Sequence, residues 1–207
     1  MKVLVTGASG MLGGAVALAL AARGDDVTVL QRRPSGLGLR EHLGDVTDAT
    51  AVRAAVAGAD TVIHLAAKVH VVGAWSDYLA ANVVGTQNVV AAARDAGVRR
   101  LVQASSPSVA PSGSSLVGAG AGPADPDHAR GSYSRSKAMA EQHALAAHDT
   151  TFSVVAVRPH LVWGPGDTQL VERGDRFQPG LRIDPGTQGP PVLLHLPRQQ
   201  RLVAQRQ

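Results

Sequence analysis

Cysteine is absent from this chain of 207 residues, and aromatic residues make up only 3% of it. The first absence excludes disulfides and thiolate metal sites, and the second requires a core built largely from Ala, Val and Leu. No apolar run approaches the ~20 residues that span a bilayer, and no secretory signal is visible at the N-terminus. With an apolar fraction of 44%, we expect a soluble, cytoplasmic globular protein without a membrane span.

Acidic residues are outnumbered, so that the formal net charge is +4. Most of the excess lies in the last 34 residues, which contain five Arg but only Asp175 and Asp184. Residues 1–173 are nearly neutral, with 15 basic and 14 acidic side chains. They have no basic stripe with interleaved aromatics on which bases could stack, and we therefore expect no nucleic-acid partner.

Short β-branched runs alternate with Ala-rich stretches over the first 160 residues. The runs are nearly all apolar, which is typical of parallel strands buried on both faces. This order predicts an α/β fold, a doubly wound parallel sheet of about six strands with helices on both faces. The predicted strands are 3–6, 27–30, 61–64, 100–104 and 153–158, with a further short strand near 40–44. The predicted helices are 11–23, 49–57, 78–96 and 133–148.

Two segments depart from this alternation. Residues 107–131 are rich in Gly, Ser, Ala and Pro and have no period, which predicts a long functional or disordered loop. After Arg173 the alternation stops, Pro, Gln and Arg become frequent, and one strand-like run remains at 191–196. We therefore expect a domain over residues 1–173 and an irregular tail over 174–207 that is not a domain.

A glycine-rich turn, Thr6 to Gly13, joins the first predicted strand to the first predicted helix. Its three glycines stand where a tight turn, a close backbone approach to phosphate and close helix–strand packing each exclude a Cβ. The N–H groups and the positive dipole end of the helix would then face a pyrophosphate. This context favours a dinucleotide site over a merely flexible loop. The cofactor-binding residues predicted in this turn are Gly7, Ser9, Gly10, Met11, Leu12 and Gly13.

No acidic residue ends the second predicted strand, where a carboxylate would bind the ribose 2′-OH of NAD. Gln31 is followed there by Arg32 and Arg33. Two guanidinium groups suit a 2′-phosphate, which accepts bidentate hydrogen bonds. The sequence therefore favours NADP over NAD, with an exposed Arg pair at a strand end as the alternative.

Tyr133 and Lys137 are four residues apart, on one face of a predicted helix. The lysine ammonium would lower the phenol pKa from its usual value of about 10, so that the tyrosine could act as a general acid or base. Ser105 and Ser106 follow the strand 100–104, at the edge where open α/β sheets bind ligands. A hydroxyl there could hold the reacting oxygen, or could simply cap the local backbone.

With these motifs the chain resembles the extended branch of the short-chain dehydrogenase/reductase superfamily, which contains NAD(P)-dependent epimerases, dehydratases and 3β-hydroxysteroid dehydrogenases. The resemblance runs from residue 1 to about 173 and implies a Rossmann-type fold. The matching segments are Thr6 to Gly13, Asp45-Val46, His64-Leu65-Ala66-Ala67, Asn82 with Gly85-Thr86, Ser105-Ser106, Tyr133 with Lys137, and Arg158-Pro159 followed by Trp163-Gly164.

The resemblance also implies roles for these residues. Asp45 and Val46 would bracket the adenine, whereas Leu65, Ala66 and Ala67 would line the cofactor and Pro159 would pass the nicotinamide. The catalytic residues would be Ser106, which holds the substrate oxygen, Tyr133, which exchanges a proton with it, Lys137, which binds the nicotinamide ribose, and Asn82, which organises the site. The eight His residues show no metal-ligand spacing, so no metal site is expected.

By this resemblance the chain is a hydride-transferring oxidoreductase acting on a secondary alcohol or ketone of a sterol-like or other bulky small-molecule substrate. A sugar-nucleotide epimerase or dehydratase with bound NAD is the alternative among enzymes. Family members continue for a further hundred or more residues that form much of the substrate lobe, whereas the match fades after Arg173. We therefore expect that lobe to be largely missing, which also leaves a non-catalytic dinucleotide-binding protein open. A frameshift or misread gene end would explain the tail, and a homodimer through helices 78–96 and 133–148 is expected by resemblance.

Overall fold

Six strands form one parallel sheet in this computed structural model, which describes residues 1–69, 72–110, 122–160 and 162. The strands are β1 (Lys2–Thr6), β2 (Asp26–Gln31), β3 (Arg40–Leu43), β4 (Thr61–His64), β5 (Arg100–Ala104) and β6 (Ser153–Val157). Their spatial order is β3-β2-β1-β4-β5-β6. The order reverses between β1 and β4, and open α/β sheets bind ligands beyond the carboxyl ends of the strands at such a point.

Helices cover both faces of this sheet. They are α1 (Met11–Ala22), α2 (Ala49–Val56), α3 (Trp75–Tyr78), α4 (Gly85–Asp95) and α5 (Gly131–Ala146), with a π-helical segment (Leu79–Val84) between α3 and α4 and a 3₁₀ turn (Pro107–Val109) after β5. Side chains alternate along each strand, so that β1 directs Leu4 to one face and Val5 to the other. Leu4 packs with α2, α4 and α5, whereas Val5 packs with α1. The predicted Rossmann-type doubly wound sheet is therefore confirmed.

The observed strands agree with the predicted ones to within two residues, and the short strand near 40–44 is β3. The predicted helix 78–96 begins earlier, at Trp75, and contains the π-helical segment. One inserted residue leaves the apolar spacing nearly unchanged, and the sequence pattern therefore did not predict it. Residues 1–160 form one compact unit. Residues 111–121 of the loop 107–131, Trp163, Gly164 and the tail 174–207 lie outside the described residues.

Candidate dinucleotide and active site

The glycine-rich turn lies at the carboxyl end of β1, and two of its glycines are required by the fold itself. Gly7 has a φ of +78°, and a Cβ there would lie 2.7 Å from the Ala66 amide nitrogen. A Cβ at Gly13 would lie 2.2 Å from the Gly7 carbonyl oxygen. Gly10 differs, since among the described residues its Cβ would meet only the Gly7 oxygen, at an ordinary 3.4 Å. The space beside Gly10 is therefore open to a ligand.

Gly10 is also the N-cap of α1, with extended backbone angles. Among the described residues no side chain caps this helix, and its first turn contains no acidic residue. The first N–H groups of a helix have no partner within it and carry positive partial charge. Ser9 and Gly10 are exposed, and Met11 and Leu12 are half-buried. These features fit an anion such as a pyrophosphate, which is what the sequence predicted.

The end of β2 presents its two arginines to solvent. Arg32 and Arg33 are both exposed, and Arg32 Nε lies 3.9 Å from Asp45 Oδ2. Before them, the buried Gln31 donates from Nε2 to Glu41 Oε1 at 3.1 Å, whereas its Oε1 has no hydrogen-bond partner among the described residues. The guanidinium groups therefore have room to bind an additional anion.

Asp45 and Val46, predicted to bracket an adenine, occupy different environments. Asp45 Oδ1 accepts hydrogen bonds from Thr47 N at 2.9 Å and Thr47 Oγ1 at 3.0 Å. The Val46 side chain is buried against Gly85 of α4, where a Cβ would lie 2.7 Å from its Cγ2. Because the Val46 side chain is part of the core, only its backbone is available for a cofactor contact. Leu65, Ala66 and Ala67 are half-buried and follow β4 beside Gly7.

Ser106, Tyr133 and Lys137 come together at the carboxyl end of β5. Ser106 lies near enough to the Tyr133 phenol to influence its pKa, while its hydroxyl pairs with Ser108 Oγ at 2.9 Å and accepts from Ser108 N at 3.3 Å as the cap of the 3₁₀ turn. Lys137 is buried, and its Nζ donates to the carbonyl oxygen of Ala104, the last residue of β5. The geometry thus joins the three predicted residues, although their catalytic roles stay predictions.

The pKa values of this group differ from the sequence expectation. Burial raises the Tyr133 pKa above its usual value of 10, and the nearby Ser106 hydroxyl opposes that change. Lys137 makes no resolved contribution to the Tyr133 pKa; its Nζ bonds Ala104, and burial lowers its own pKa to about 8 against the opposing charge of Glu141. Burial disfavours the charged form of each group. The expected lowering of the phenol pKa by Lys137 is therefore wrong for this arrangement.

Asn82 lies in the π-helical segment and is 1% exposed. Its Oδ1 accepts from Lys68 N at 2.7 Å, and its Nδ2 donates to Lys68 O at 3.1 Å and to Ser136 Oγ at 2.9 Å. Ser136 in turn donates to the Tyr133 carbonyl oxygen at 2.8 Å. Asn82 therefore positions the loop after β4 and the start of α5, in keeping with the organising role expected of it.

A buried ion pair, which the sequence analysis did not single out, lies behind Lys137. Arg158 Nε donates to Glu141 Oε2 at 2.9 Å, Arg158 Nη2 also pairs with Oε1, and the two side chains are 15% and 3% exposed. Pro159, predicted to pass the nicotinamide, follows this arginine and is half-buried. The pair thus fixes the end of β6 against α5. The sequence feature that could have indicated this ion pair is Glu141, an acidic residue one helical turn after Lys137.

Metal clusters and membrane-spanning helices are both absent from the described part of the chain. No group of three or more His, Cys, Asp or Glu side chains there could hold a metal ion. Over the same residues, every helix is too short or too polar to cross a bilayer.

A parallel sheet with an open glycine turn at its switch point and a Ser–Tyr–Lys group beside it defines a dinucleotide-binding α/β protein of the dehydrogenase type. The chain belongs to the NAD-dependent epimerase/dehydratase family, whose sequence profile matches residues 3–181. The resemblance to the extended short-chain dehydrogenases/reductases is therefore confirmed.

Characterised relatives include a 2-alkyl-3-oxoalkanoate reductase of Stenotrophomonas maltophilia, which is 44% identical over 84% of this chain and 54% of its own length. A 3β-hydroxysteroid dehydrogenase/Δ5→4-isomerase of Mycobacterium tuberculosis is 35% identical over 83% of this chain and 50% of its own length. The chain thus spans about half the length of these curated relatives.

Solved structures show the same fold with a cofactor. MoeE5 in complex with UDP-glucose and NAD superposes with a TM-score of 0.67 and 32% identity, over 85% of this chain and 60% of MoeE5. An NAD-bound short-chain dehydrogenase/reductase superfamily protein of Agrobacterium tumefaciens gives a TM-score of 0.66 and 32% identity, over 76% of this chain and 48% of its own.

Proposed function

We propose that this chain is the dinucleotide-binding part of an NAD(P)-dependent oxidoreductase that interconverts a ketone and a secondary alcohol on a sterol-like or other bulky small molecule. The observation that carries the proposal is the placement of Ser106, Tyr133 and Lys137 together at the carboxyl end of β5, with Lys137 one turn after Tyr133 on α5. Reductase and hydroxysteroid dehydrogenase relatives support the same reaction class.

The residues of the glycine turn fit a dinucleotide, because the space beside Gly10 is open and the start of α1 is uncapped. When bound, the nicotinamide would supply or accept the hydride. The exposed guanidinium groups of Arg32 and Arg33 favour NADP, since a 2′-phosphate can accept hydrogen bonds from both. The solved neighbours hold NAD, and the preference for NADP is therefore a property of this chain to be measured.

The chain's own residues would handle the substrate oxygen and its proton. The Ser106 hydroxyl would hydrogen-bond the carbonyl oxygen and orient it toward Tyr133. Because burial raises the Tyr133 pKa, the phenol stays protonated at neutral pH and can donate its proton to that oxygen. This protonation state favours the direction of ketone reduction.

Replacing Tyr133 by Phe tests the proposal. Turnover of a ketone panel should fall by about 10²–10⁴-fold, the usual contribution of general acid catalysis, while the calorimetric dissociation constants of NADP and NAD stay within about threefold. An unchanged thermal midpoint of Tyr133→Phe is the control that the fold is intact. Full turnover by Tyr133→Phe would reject the assigned role. A wild-type chain that binds cofactor but turns over no ketone would instead be a dinucleotide-binding protein without catalysis.

A sugar-nucleotide epimerase or dehydratase is the second candidate, and the UDP-glucose and NAD held by MoeE5 favour it. Such enzymes return the hydride within one catalytic cycle and retain oxidised NAD. Oxidised cofactor that survives purification would therefore support this candidate, whereas freely exchanging NADPH would support the reductase.

Self-association is part of the proposal as well. The two helices predicted to pair carry exposed apolar side chains, Val84 just before α4 and Leu145 near the end of α5. Light scattering should find a homodimer, which Leu145→Glu should dissociate by placing a charge in the contact. A wild-type chain that is monomeric in light scattering would exclude the proposed homodimer.

A further inference from the structure

A row of buried polar side chains crosses the sheet beneath α4 and α5. Thr6, His64 and Gln103 lie opposite one another on β1, β4 and β5, and each is at most 1% exposed. Their face of the sheet is otherwise packed with aliphatic residues such as Leu4, Val62 and Leu101. A buried polar group costs free energy unless it is hydrogen-bonded, so the partners of His64 indicate what this row does.

The hydrogen bonds of His64 have a single consistent direction. Thr86 donates its only hydroxyl proton to the Asn82 carbonyl oxygen at 2.7 Å, and its oxygen therefore accepts from His64 Nε2, at 3.2 Å. His64 Nδ1 is then unprotonated and accepts from the Thr6 hydroxyl at 2.7 Å. Both ring nitrogens are satisfied in one neutral tautomer. Burial, with a smaller contribution from the charge of Lys137, lowers the His64 pKa to about 3 and keeps the ring neutral.

The two ends of this chain of hydrogen bonds lie in the predicted cofactor turn and the predicted active site. The Thr6 hydroxyl oxygen accepts hydrogen bonds from Leu65 N at 3.2 Å and Ala66 N at 3.1 Å. Both amides belong to the loop that packs on Gly7. At the other end Thr86 holds Asn82 in the π-helical segment, a distortion that often occurs at functional sites. Asn82 in turn holds Ser136, one turn from Tyr133.

We propose that His64 is a positioning residue, whose neutral ring couples Thr6 of the glycine turn to Thr86 and so fixes Asn82 against the helix that carries Tyr133. The catalytic consequence rests on the proposed function, whereas the coupling itself does not. His64 is only 1% exposed, which leaves its ring no surface for substrate or cofactor. It acts by fixing the distance between the dinucleotide turn and the π-helical segment.

Thr86→Val tests the coupling, because it removes the hydroxyl and keeps the branched shape of the side chain. The Lys68 amide, which donates to Asn82 Oδ1, should exchange its hydrogen at least 10-fold faster in NMR measurements. Turnover should fall about 10- to 100-fold while the NADP dissociation constant stays within threefold. Thr86→Ser restores the hydroxyl and should restore both the Lys68 exchange rate and the turnover. Thr50→Val, on the exposed side of α2, should change neither.

The His64 ring provides a measurement that needs no variant. In ¹⁵N spectra of the wild-type chain Nε2 should carry the proton and Nδ1 should not. A proton on Nδ1, or unchanged Lys68 exchange in a folded Thr86→Val, would overturn the coupling. Faster Lys68 exchange in a chain that turns over no substrate would support the coupling and reject the proposed function.

Discussion

Two sets of polar residues lie at the same edge of the sheet, and they differ in what satisfies them. The rim, which we define as Ser9, Gly10, Arg32 and Arg33, is solvent-accessible and has few protein partners among the described residues. The buried layer, which we define as Thr6, His64, Thr86 and Asn82, is at most 1% exposed and is hydrogen-bonded within the protein.

This difference separates recognition from preorganisation. Groups on the rim keep their hydrogen-bonding capacity for a ligand, so that their removal should weaken binding and leave the fold intact. Groups in the buried layer, like the ion pair behind it, have already exchanged water for protein partners, and their removal leaves an unpaired polar group. Their substitution should lower stability or positioning first, and binding only as a consequence.

The largest effect is expected at the buried ion pair. Glu141→Gln removes the negative charge beside Arg158, whose side chain is only 15% exposed. Loss of one partner of a buried pair costs about 3–5 kcal/mol, and urea unfolding should detect it. Asp26→Asn is the matched control, since its pair with Arg40 spans 3.6 Å between side chains 48% and 66% exposed. Exposed pairs contribute little, and an equal loss in both variants would contradict the distinction.

The glycine turn contains both kinds of position within a few residues. Gly13→Ala places a Cβ 2.2 Å from the Gly7 carbonyl oxygen, and the overpacking should lower the free energy of unfolding by about 3 kcal/mol. Gly10→Ala meets no such contact. Its thermal midpoint should stay unchanged while its affinity for NADP falls at least 10-fold, as measured by calorimetry. Unchanged affinity in Gly10→Ala would remove the assignment of Gly10 to the rim.

His64 should make the stability of the fold depend on acid. The His64 pKa is about 3 in the folded chain, against the ordinary value of 6.5 that we take for the unfolded chain. Below about pH 6.5 the unfolded chain therefore binds a proton that the folded chain does not. Stability is therefore fully present above pH 6.5 and is lost as the pH falls toward 3. At 1.36 kcal/mol per pKa unit, the loss between pH 7 and pH 4.5 should be about 2.5 kcal/mol.

Urea unfolding at several pH values measures this loss. His64→Gln should be less stable at neutral pH but should lack the His64 part of the acid slope. His143→Gln, at an exposed position of α5, should keep the wild-type slope. Equal slopes in all three proteins would contradict the burial of a neutral His64.

How much could be predicted from sequence follows the same division. Five of the six strands were predicted because their sequences are nearly all apolar, whereas β3 is polar and part-exposed and was predicted only as a short strand near 40–44. The strand-end rule placed Ser106 at the ligand edge of the sheet, the spacing of four put Tyr133 and Lys137 on one helix face, and the family resemblance joined the three. Contacts between distant elements were not predicted, since the pairing of Thr6 with His64 depends on strand register.

The electrostatic environment was the least predictable feature. The spacing of Tyr133 and Lys137 correctly put both on one helix, but spacing carries no information on desolvation. Burial raises the pKa of the tyrosine and lowers that of the lysine, opposite to the expected effect on the phenol. The π-helical segment was missed for a related reason, because its Asn82 bonds Lys68 and Ser136, which are distant in sequence and come close only in the folded chain.

The smallest expected effect is at the end of β2, where it concerns binding alone. Replacing Arg32 and Arg33 together by Ala should weaken NADP binding about 10-fold, or about 1.4 kcal/mol, because exposed charges are partly screened by water and salt. NAD lacks the 2′-phosphate, and its affinity should stay constant, as should the thermal midpoint. Raising the salt concentration should also reduce the preference of the wild-type chain for NADP, as the double substitution does. Equal loss of NAD and NADP affinity would assign the two arginines to the pyrophosphate and not to the 2′-phosphate.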